Sequence, residues 1–252
     1  MNISLNNQLI LVTGASRGIG RAIAKQLSES GAKVIIHYNR NQKEAELLLS
    51  EMKNEAILAP CNLSDPLKVK GFIPRLVEKY GFISAIVNNA GISRSAPDTL
   101  PTSEWLQIWD ETMAVNTTSL AILCKEFVDQ AKSKNSGRIV NISSRAAFRG
   151  DTTDYIAYAA SKGAIVSITR TIARHYGKLG IKAFVIAPGF TRTDMADEIL
   201  SEYGEEFALN DIALPELTRP EDIAPMVTLL CSGLADHATG ATIDINAGSY
   251  VH

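Results

Sequence analysis

Only three cysteines occur in 252 residues, Cys61, Cys124 and Cys231, and no two are spaced as a C-x-x-C pair. That odd, scattered set excludes a disulfide framework and a thiolate zinc site, and reads as reduced, buried thiols of a cytosolic protein. Histidine is equally sparse: His37, His175, His237 and His252 show no ligand spacing, so no metal is expected. Neither sign of charge dominates. The 25 Lys+Arg against 27 Asp+Glu leave a net charge of -2, which gives no electrostatic case for nucleic acid or an anionic membrane. No apolar run approaches a bilayer span. The first residues, MNISLNNQLILVTG, have no basic start and run straight into a strand-like stretch, so neither a leader nor a location outside the cytoplasm is expected. A Pro/Gly/Ser-rich linker, a low-complexity tract and an internal repeat are also lacking. One domain over residues 1–252 is the expected organisation.

What is present is a core-forming composition, 46% apolar and 21% charged, arranged as short β-branched runs alternating with helical segments. The strand candidates are 9–14, 33–38, 56–61, 83–89, 138–143, 182–188 and 242–248. Most are apolar on both alternating faces, as a parallel sheet buried between two helical layers requires. Helical stretches of 15 or more residues are expected between them, the first stopped by Gly31. The predicted fold class is α/β: a doubly wound, Rossmann-type, seven-stranded parallel sheet with helices on both faces and ligands beyond the carboxyl ends of its strands. The stretch 191–216 breaks the rhythm with eight acidic residues against one arginine. It reads as a helical insertion over 190–215 that serves as a substrate lid.

Between the first strand and first helix stands VTGASRGIGRAIA, with Gly14, Gly18 and Gly20 spaced G-x-x-x-G-x-G. Glycines allow a tight turn there and let backbone N–H groups approach a pyrophosphate at a helix N-terminus. The second strand ends in Tyr38, Asn39 and Arg40, without the carboxylate that would hold the ribose 2′-hydroxyl of NAD. Arg17 adds a cation in the turn. A 2′-phosphate would meet Arg17 and Arg40 without repulsion, so NADP(H) is expected in preference to NAD(H).

The stretch DYIAYAASKGA holds two tyrosines and one lysine. Helical neighbours lie four residues apart: Tyr155 is followed at that spacing by Ala159, and Tyr158 by Lys162. A free phenol has a pKa of about 10 and is ionised in only about one part in a thousand at pH 7. A cation about 4 Å away at an effective dielectric near 20 contributes roughly 4 kcal/mol, enough to lower that pKa by about three units. Lys162 is therefore expected to acidify Tyr158, leaving Tyr155 to packing or to the substrate.

With TGASRGIG (13–20), NNAG (88–91), Val115–Asn116, NISS (141–144), YAASK (158–162) and PGFTRT (188–193), the chain resembles the short-chain dehydrogenase/reductase family along essentially its whole length. It is similar to the β-ketoacyl-acyl-carrier-protein reductases within that family. The resemblance implies Tyr158 as general acid/base, Lys162 lowering its pKa and holding the nicotinamide ribose, Ser144 binding the substrate oxygen, and Asn116 holding a water in a proton relay. It implies a cofactor site formed by Gly14, Ser16, Arg17, Gly18, Ile19 and Gly20 at the pyrophosphate, and by Tyr38, Asn39, Arg40, Asn62 and Leu63 towards the adenosine. Asn89, Ala90 and Gly91 would line the adenosine side, while Tyr158, Lys162, Pro188, Gly189, Thr191 and Thr193, with Ile186, would frame the nicotinamide. Ser144 lies 14 residues before Tyr158 where relatives usually have 13, so Ser143 is the alternative unless RGDTTDYIA carries an insertion. Asn62 stands where relatives often have aspartate; an amide still donates and accepts there.

The activity expected is NADP(H)-dependent interconversion of a carbonyl and a secondary alcohol. Its rival is a catalytically silent module that senses NADP(H), against which the joint retention of Ser144, Tyr158, Lys162 and Asn116 speaks. The partner expected is a small-molecule or acyl-thioester carbonyl substrate, bound by 93–100, 145–155 and 190–215. An acidic 191–216 disfavours docking of an acidic carrier protein, although Lys132, Lys134 and Arg174 could form a basic dock elsewhere. The resemblance also implies a homotetramer built through helices over 103–133 and 155–176.

Overall fold

Alternate side chains of the strand runs go to opposite faces of one sheet and fill two separate cores. Ile10, Val12, Val34, Ile36, Val87, Val140, Phe184 and Ile186 pack on one face. Leu9, Leu11, Ile35, Ile86, Ile139, Ile181 and Ala183 pack on the other. Two-sided burial is the physical reason these runs are apolar at successive positions. The computed structural model describes residues 3–194, 196 and 204–251.

All seven strand candidates form strands: β1 (Leu9–Val12), β2 (Lys33–Tyr38), β3 (Ala56–Pro60), β4 (Ala85–Asn88), β5 (Gly137–Ile142), β6 (Ile181–Pro188) and β7 (Thr242–Ile245). They are parallel throughout, in the order β3-β2-β1-β4-β5-β6-β7. The order reverses direction between β1 and β4, which opens a crevice at their carboxyl ends where ligands of such sheets bind.

The helices are α1 (Gly18–Glu29), α2 (Gln42–Glu51), α3 (Pro66–Val69), α4 (Phe72–Tyr80), α5 (Thr102–Met113), α6 (Ser119–Lys132), α7 (Ala146–Arg149) and α8 (Ile156–Tyr176), followed by a helix over Pro220–Ser232. Several are shorter than expected: α1 has 12 residues and α2 has 10. The glycine turn and the exits towards the strands take up the difference. Gly31, at φ +103°, follows α1 in the left-handed region that ends helices. A π-helical turn over Ala114–Thr118 separates α5 from α6, an interruption that apolar periodicity does not disclose.

Of the expected lid, the structure gives Thr191–Asp194, Ala196 and the stretch from Gly204, including a five-residue helix Glu205–Leu209. Residues 195 and 197–203 of that expectation lie outside the described residues. No described helix is long and apolar enough to cross a membrane. No cluster of three or more potential metal ligands occurs among the described residues.

Candidate active site

The glycine turn sits at the mouth of the crevice because its backbone needs glycine. Gly14 and Gly18 have φ of +63° and +52°, a region side chains disfavour. At Gly20 the constraint is space: a Cβ would lie 2.3 Å from the Gly14 carbonyl oxygen and 2.5 Å from Asn89 Nδ2. Arg17 caps α1 without any side-chain hydrogen bond to the helix. The first-turn N–H groups, from Gly18 and Ile19 onward, thus have no side-chain acceptor, as a pyrophosphate cradle requires. Ser16 is buried within the turn.

Asn89 behaves differently from its expected role as a cofactor liner. Its Nδ2 donates to the Thr13 and Gly14 carbonyls at 3.0 and 3.1 Å. Thr13 Oγ1 in turn accepts the Asn89 and Ala90 N–H groups, both at 3.0 Å. This clasp fastens the end of β4 to the glycine turn and leaves Ala90 and Gly91 at the crevice.

At the adenosine end, Asn39 and Arg40 are exposed beyond β2. Tyr38, 8% exposed, packs its ring into the core. Asn62 Oδ1 accepts from Asn39 Nδ2 at 3.3 Å and from the Ser64 N–H and hydroxyl at 3.1 and 2.8 Å. Leu63 is buried in the opposite core. Arg17 is not free as expected; it pairs with Asp194 at 3.2 Å across the crevice. Both partners are more than 60% exposed, and exposed pairs are weak enough for a phosphate to displace.

His37, on β2, was not singled out by spacing, and the structure gives it two partners. Its Nδ1 accepts the Gly14 N–H at 3.0 Å, and its Nε2 lies 3.0 Å from the Cys61 carbonyl. An imidazole that accepts at Nδ1 must carry its proton at Nε2 and donate it to Cys61. Burial of the ring, 2% exposed, outweighs the Cys61 hydrogen bond and lowers the pKa from 6.5 to about 4.

The unfolded chain therefore binds a proton that the folded chain refuses between pH 6.5 and about 4. This neutral-state stability is complete above pH 6.5 and falls with pH, by up to ~1.4 kcal/mol per unit. Urea melts of the wild type and His37→Leu between pH 7 and pH 4.5 should show a shallower acid loss in the variant. Parallel losses would refute a buried neutral imidazole.

The catalytic candidates converge at the ends of β4 and β5. Asn116, fully buried in the π turn, accepts the Ile92 N–H at 2.8 Å through Oδ1. Its Nδ2 donates to the Ile92 carbonyl at 2.9 Å and to Ser161 Oγ at 3.0 Å. These three bonds tie its amide to the loop and to α8. A Cβ on Gly91 would lie 3.3 Å from Asn116 Oδ1 and 3.4 Å from Lys162 Nζ, so a glycine there lets both groups approach the loop.

Tyr158 and Lys162 stand one turn apart on α8. The structure reverses the electrostatic expectation for them. Lys162 Nζ lies 5.5 Å from the centre of the Tyr158 ring and donates to the Ile142 carbonyl at 3.0 Å. Burial raises the phenol pKa; the hydrogen bond from Ser144 opposes it, Asp151 adds to the rise, and Arg145 lowers it slightly. Burial also lowers the Lys162 pKa to about 8. Attraction between the pair is outweighed by the desolvation of each group.

The two serines separate cleanly. Ser143 Oγ donates to the Lys162 carbonyl at 2.8 Å. Ser144 Oγ accepts the Ala146 N–H at 3.1 Å and lies near enough to the Tyr158 phenol to lower its pKa. Between Ser144 and Tyr158 the chain passes through Gly150, at φ +81°, and the 3-10 turn Thr153–Tyr155. Tyr155 stands at the N-terminal cap of α8.

Beyond β6, the Gly189 N–H donates to the Ile245 carbonyl at 3.0 Å. A Cβ on Gly189 would sit 2.7 Å from the Asn246 backbone. The Pro188 carbonyl accepts the Arg145 N–H at 3.0 Å. Thr191 bridges to Thr218, and Thr193 lies against Gly18 across the crevice. Thr13, His37 and Ser161 were missed in the sequence. Thr13 and His37 are polar residues at otherwise apolar strand ends, the one signal that could have marked them.

A family model described as enoyl-(acyl carrier protein) reductase matches residues 14–250. A 3-oxoacyl-(acyl-carrier-protein) reductase FabG of Staphylococcus aureus strain N315 is 35% identical over 244 residues, covering 96% of this chain and 97% of that protein. The crystal structure of a short-chain dehydrogenase from Burkholderia cenocepacia J2315 in complex with NADP superposes with a TM-score of 0.88 at 30% identity, covering 97% of this chain and 98% of that one. A protein of Beutenbergia cavernae assigned as an NAD(P)-dependent gluconate 5-dehydrogenase, with NADP at low occupancy, superposes with a TM-score of 0.90 at 28% identity, covering 99% of each chain.

Proposed function

Because the chain belongs to the short-chain dehydrogenase/reductase family, we propose that it interconverts a carbonyl and a secondary alcohol with NADP(H), Tyr158 serving as the general acid/base. It is an oxidoreductase of the NAD(P)-dependent kind. NADP(H) as cofactor is supported by the NADP-bound relatives and by a second strand that ends in Asn39 and Arg40 with no carboxylate. When bound, NADP(H) supplies or accepts the hydride.

The observation that carries the reading is the convergence of Ser144, Tyr158 and the buried Lys162: Lys162 Nζ lies 5.5 Å from the centre of the Tyr158 ring, and Ser144 lies near enough to lower the phenol pKa. Charge that develops on a carbonyl oxygen needs a proton and preset donors. Ser144 has its oxygen held by the Ala146 N–H, so its hydroxyl is oriented before substrate arrives. A phenol whose pKa is raised stays protonated at neutral pH and is ready to donate, which suits carbonyl reduction. Lys162, 4% exposed, brings a cation to the ring and a donor to a ribose. Asn116 braces the loop through Ile92 and the helix through Ser161, so the relay role would fall to its main chain.

The substrate class proposed is a carbonyl compound, either free or held as an acyl thioester. NADPH consumption should be measured with a panel of ketones, keto sugars and 3-oxoacyl thioesters, and then with NADH on the best substrate. Turnover of at least one carbonyl with a higher kcat/KM for NADPH than for NADH is expected. Tight NADPH binding with no turnover across the panel would favour a silent NADP(H) sensor instead. A preference for NADH would overturn the assignment of Arg40 and Arg17.

A further inference from the structure

His37 carries no part of the chemistry proposed above, yet it joins three consecutive strand ends beneath the crevice. Gly14 follows β1, His37 lies on β2 and Cys61 follows β3. One imidazole bonds to both neighbours, at 3.0 Å each. Backbone bonds run alongside: the Ala15 N–H donates to the His37 carbonyl at 2.9 Å, and the Cys61 N–H donates to the Tyr38 carbonyl at 3.0 Å. The ring cannot turn freely, because Phe72 meets it edge-on with centroids 5.7 Å apart.

Each tethered point adjoins a different part of the nucleotide site. Gly14 begins the pyrophosphate turn, Asn39 and Arg40 follow His37 by two and three residues, and Asn62 follows Cys61. We propose that His37 is a positioning residue for the cofactor, a neutral Nε2–H imidazole that sets the glycine turn against the adenosine-side loops so that one dinucleotide meets all three. This rests on the NADP(H) reading. The Gly14 bond matters most, since that N–H belongs to the residue whose left-handed φ starts the turn. A buried N–H deprived of its acceptor would pull the turn from its place.

Three variants separate the two bonds by reach. His37→Asn keeps an acceptor at the δ position for Gly14, His37→Gln keeps a donor at the ε position for Cys61, and His37→Leu removes both. NADPH dissociation constants from fluorescence titration should rise about tenfold per lost hydrogen bond. The expected order is wild type, Asn, Gln and then Leu, with kcat at saturating NADPH within about twofold throughout. Adenosine 2′,5′-bisphosphate, which lacks the pyrophosphate bridge, should weaken as NADPH does on loss of the Cys61 bond and less than NADPH on loss of the Gly14 bond. Long-range nitrogen NMR of the wild type should show protonation at Nε2 alone.

Equal NADPH affinities in the wild type and the Asn and Gln variants would overturn the proposal, whether or not the Leu variant folds. So would an unchanged bisphosphate affinity in an Asn variant that has lost NADPH affinity, or a ring protonated at Nδ1. A wild type that binds neither probe would instead refute the cofactor reading, and this assignment with it.

Discussion

Tyr158→Phe is expected to lower kcat by about a thousandfold while leaving the NADPH dissociation constant within a few-fold. General acid–base groups typically contribute 10²–10⁴ in rate, and phenylalanine removes only the hydroxyl. The ring, its place on α8 and the Lys162 cation 5.5 Å from its centre all remain. Tyr155→Phe is the matched control. Tyr155 caps α8 rather than facing Lys162, and its phenylalanine variant should retain most of the activity. Steady-state rates and NADPH titration on both variants decide the matter. Substantial turnover by Tyr158→Phe would remove that residue from the mechanism, and equal damage at Tyr155 would undo the choice between the two.

Gly20→Ala should abolish measurable NADPH binding, with a loss of about a hundredfold or more. The added Cβ would stand 2.3 Å from the Gly14 oxygen and 2.5 Å from Asn89 Nδ2, well inside van der Waals contact. Neither neighbour can yield cheaply. One is backbone in a left-handed turn, and the other holds the Thr13 and Gly14 carbonyls. The helix must retreat, carrying its N-terminal N–H groups away from the phosphates, and overpacking of this kind typically costs 1–3 kcal/mol in stability. Gly163→Ala tests whether a methyl group alone could do this. At that position on α8 a Cβ would meet only the Ala147 carbonyl oxygen, 3.9 Å away, and replacing a helical glycine tends to stabilise by roughly 0.5–1 kcal/mol. Gly20→Ala should therefore lower both the Tm and NADPH affinity, whereas Gly163→Ala should raise the Tm slightly and leave NADPH affinity unchanged. Normal binding by Gly20→Ala would show that the turn is not the phosphate cradle.

The sheet was legible because its strands are buried on both sides, a condition that forces long β-branched runs and leaves a plain record in composition. The Tyr158–Lys162 pair was legible because helix geometry converts a four-residue spacing into a shared face. What that spacing could not convey is the medium around the pair. Desolvation pushes both pKa values against the charged forms, a property of everything packed nearby rather than of two residues. The burial of Tyr38 was hidden for the same reason: its place at a strand end is written in the chain, but its turn into the core is not. Asn89 and His37 act by bonding to main-chain atoms of distant segments, and such partners leave no mark in side-chain patterns. The π turn at Asn116 escaped because one surplus residue hardly disturbs helical periodicity over a long amphipathic stretch.

That surplus residue has an architectural meaning. A π turn accommodates one more residue than an ordinary helical turn, so α5 and α6 frame a bulge rather than depend on it. The fold needs a rod in this place; the bulge is what aims Asn116 at Ile92 and Ser161. Scaffold and workshop are here held in separate increments of chain, and a lineage could shed the second while keeping the first.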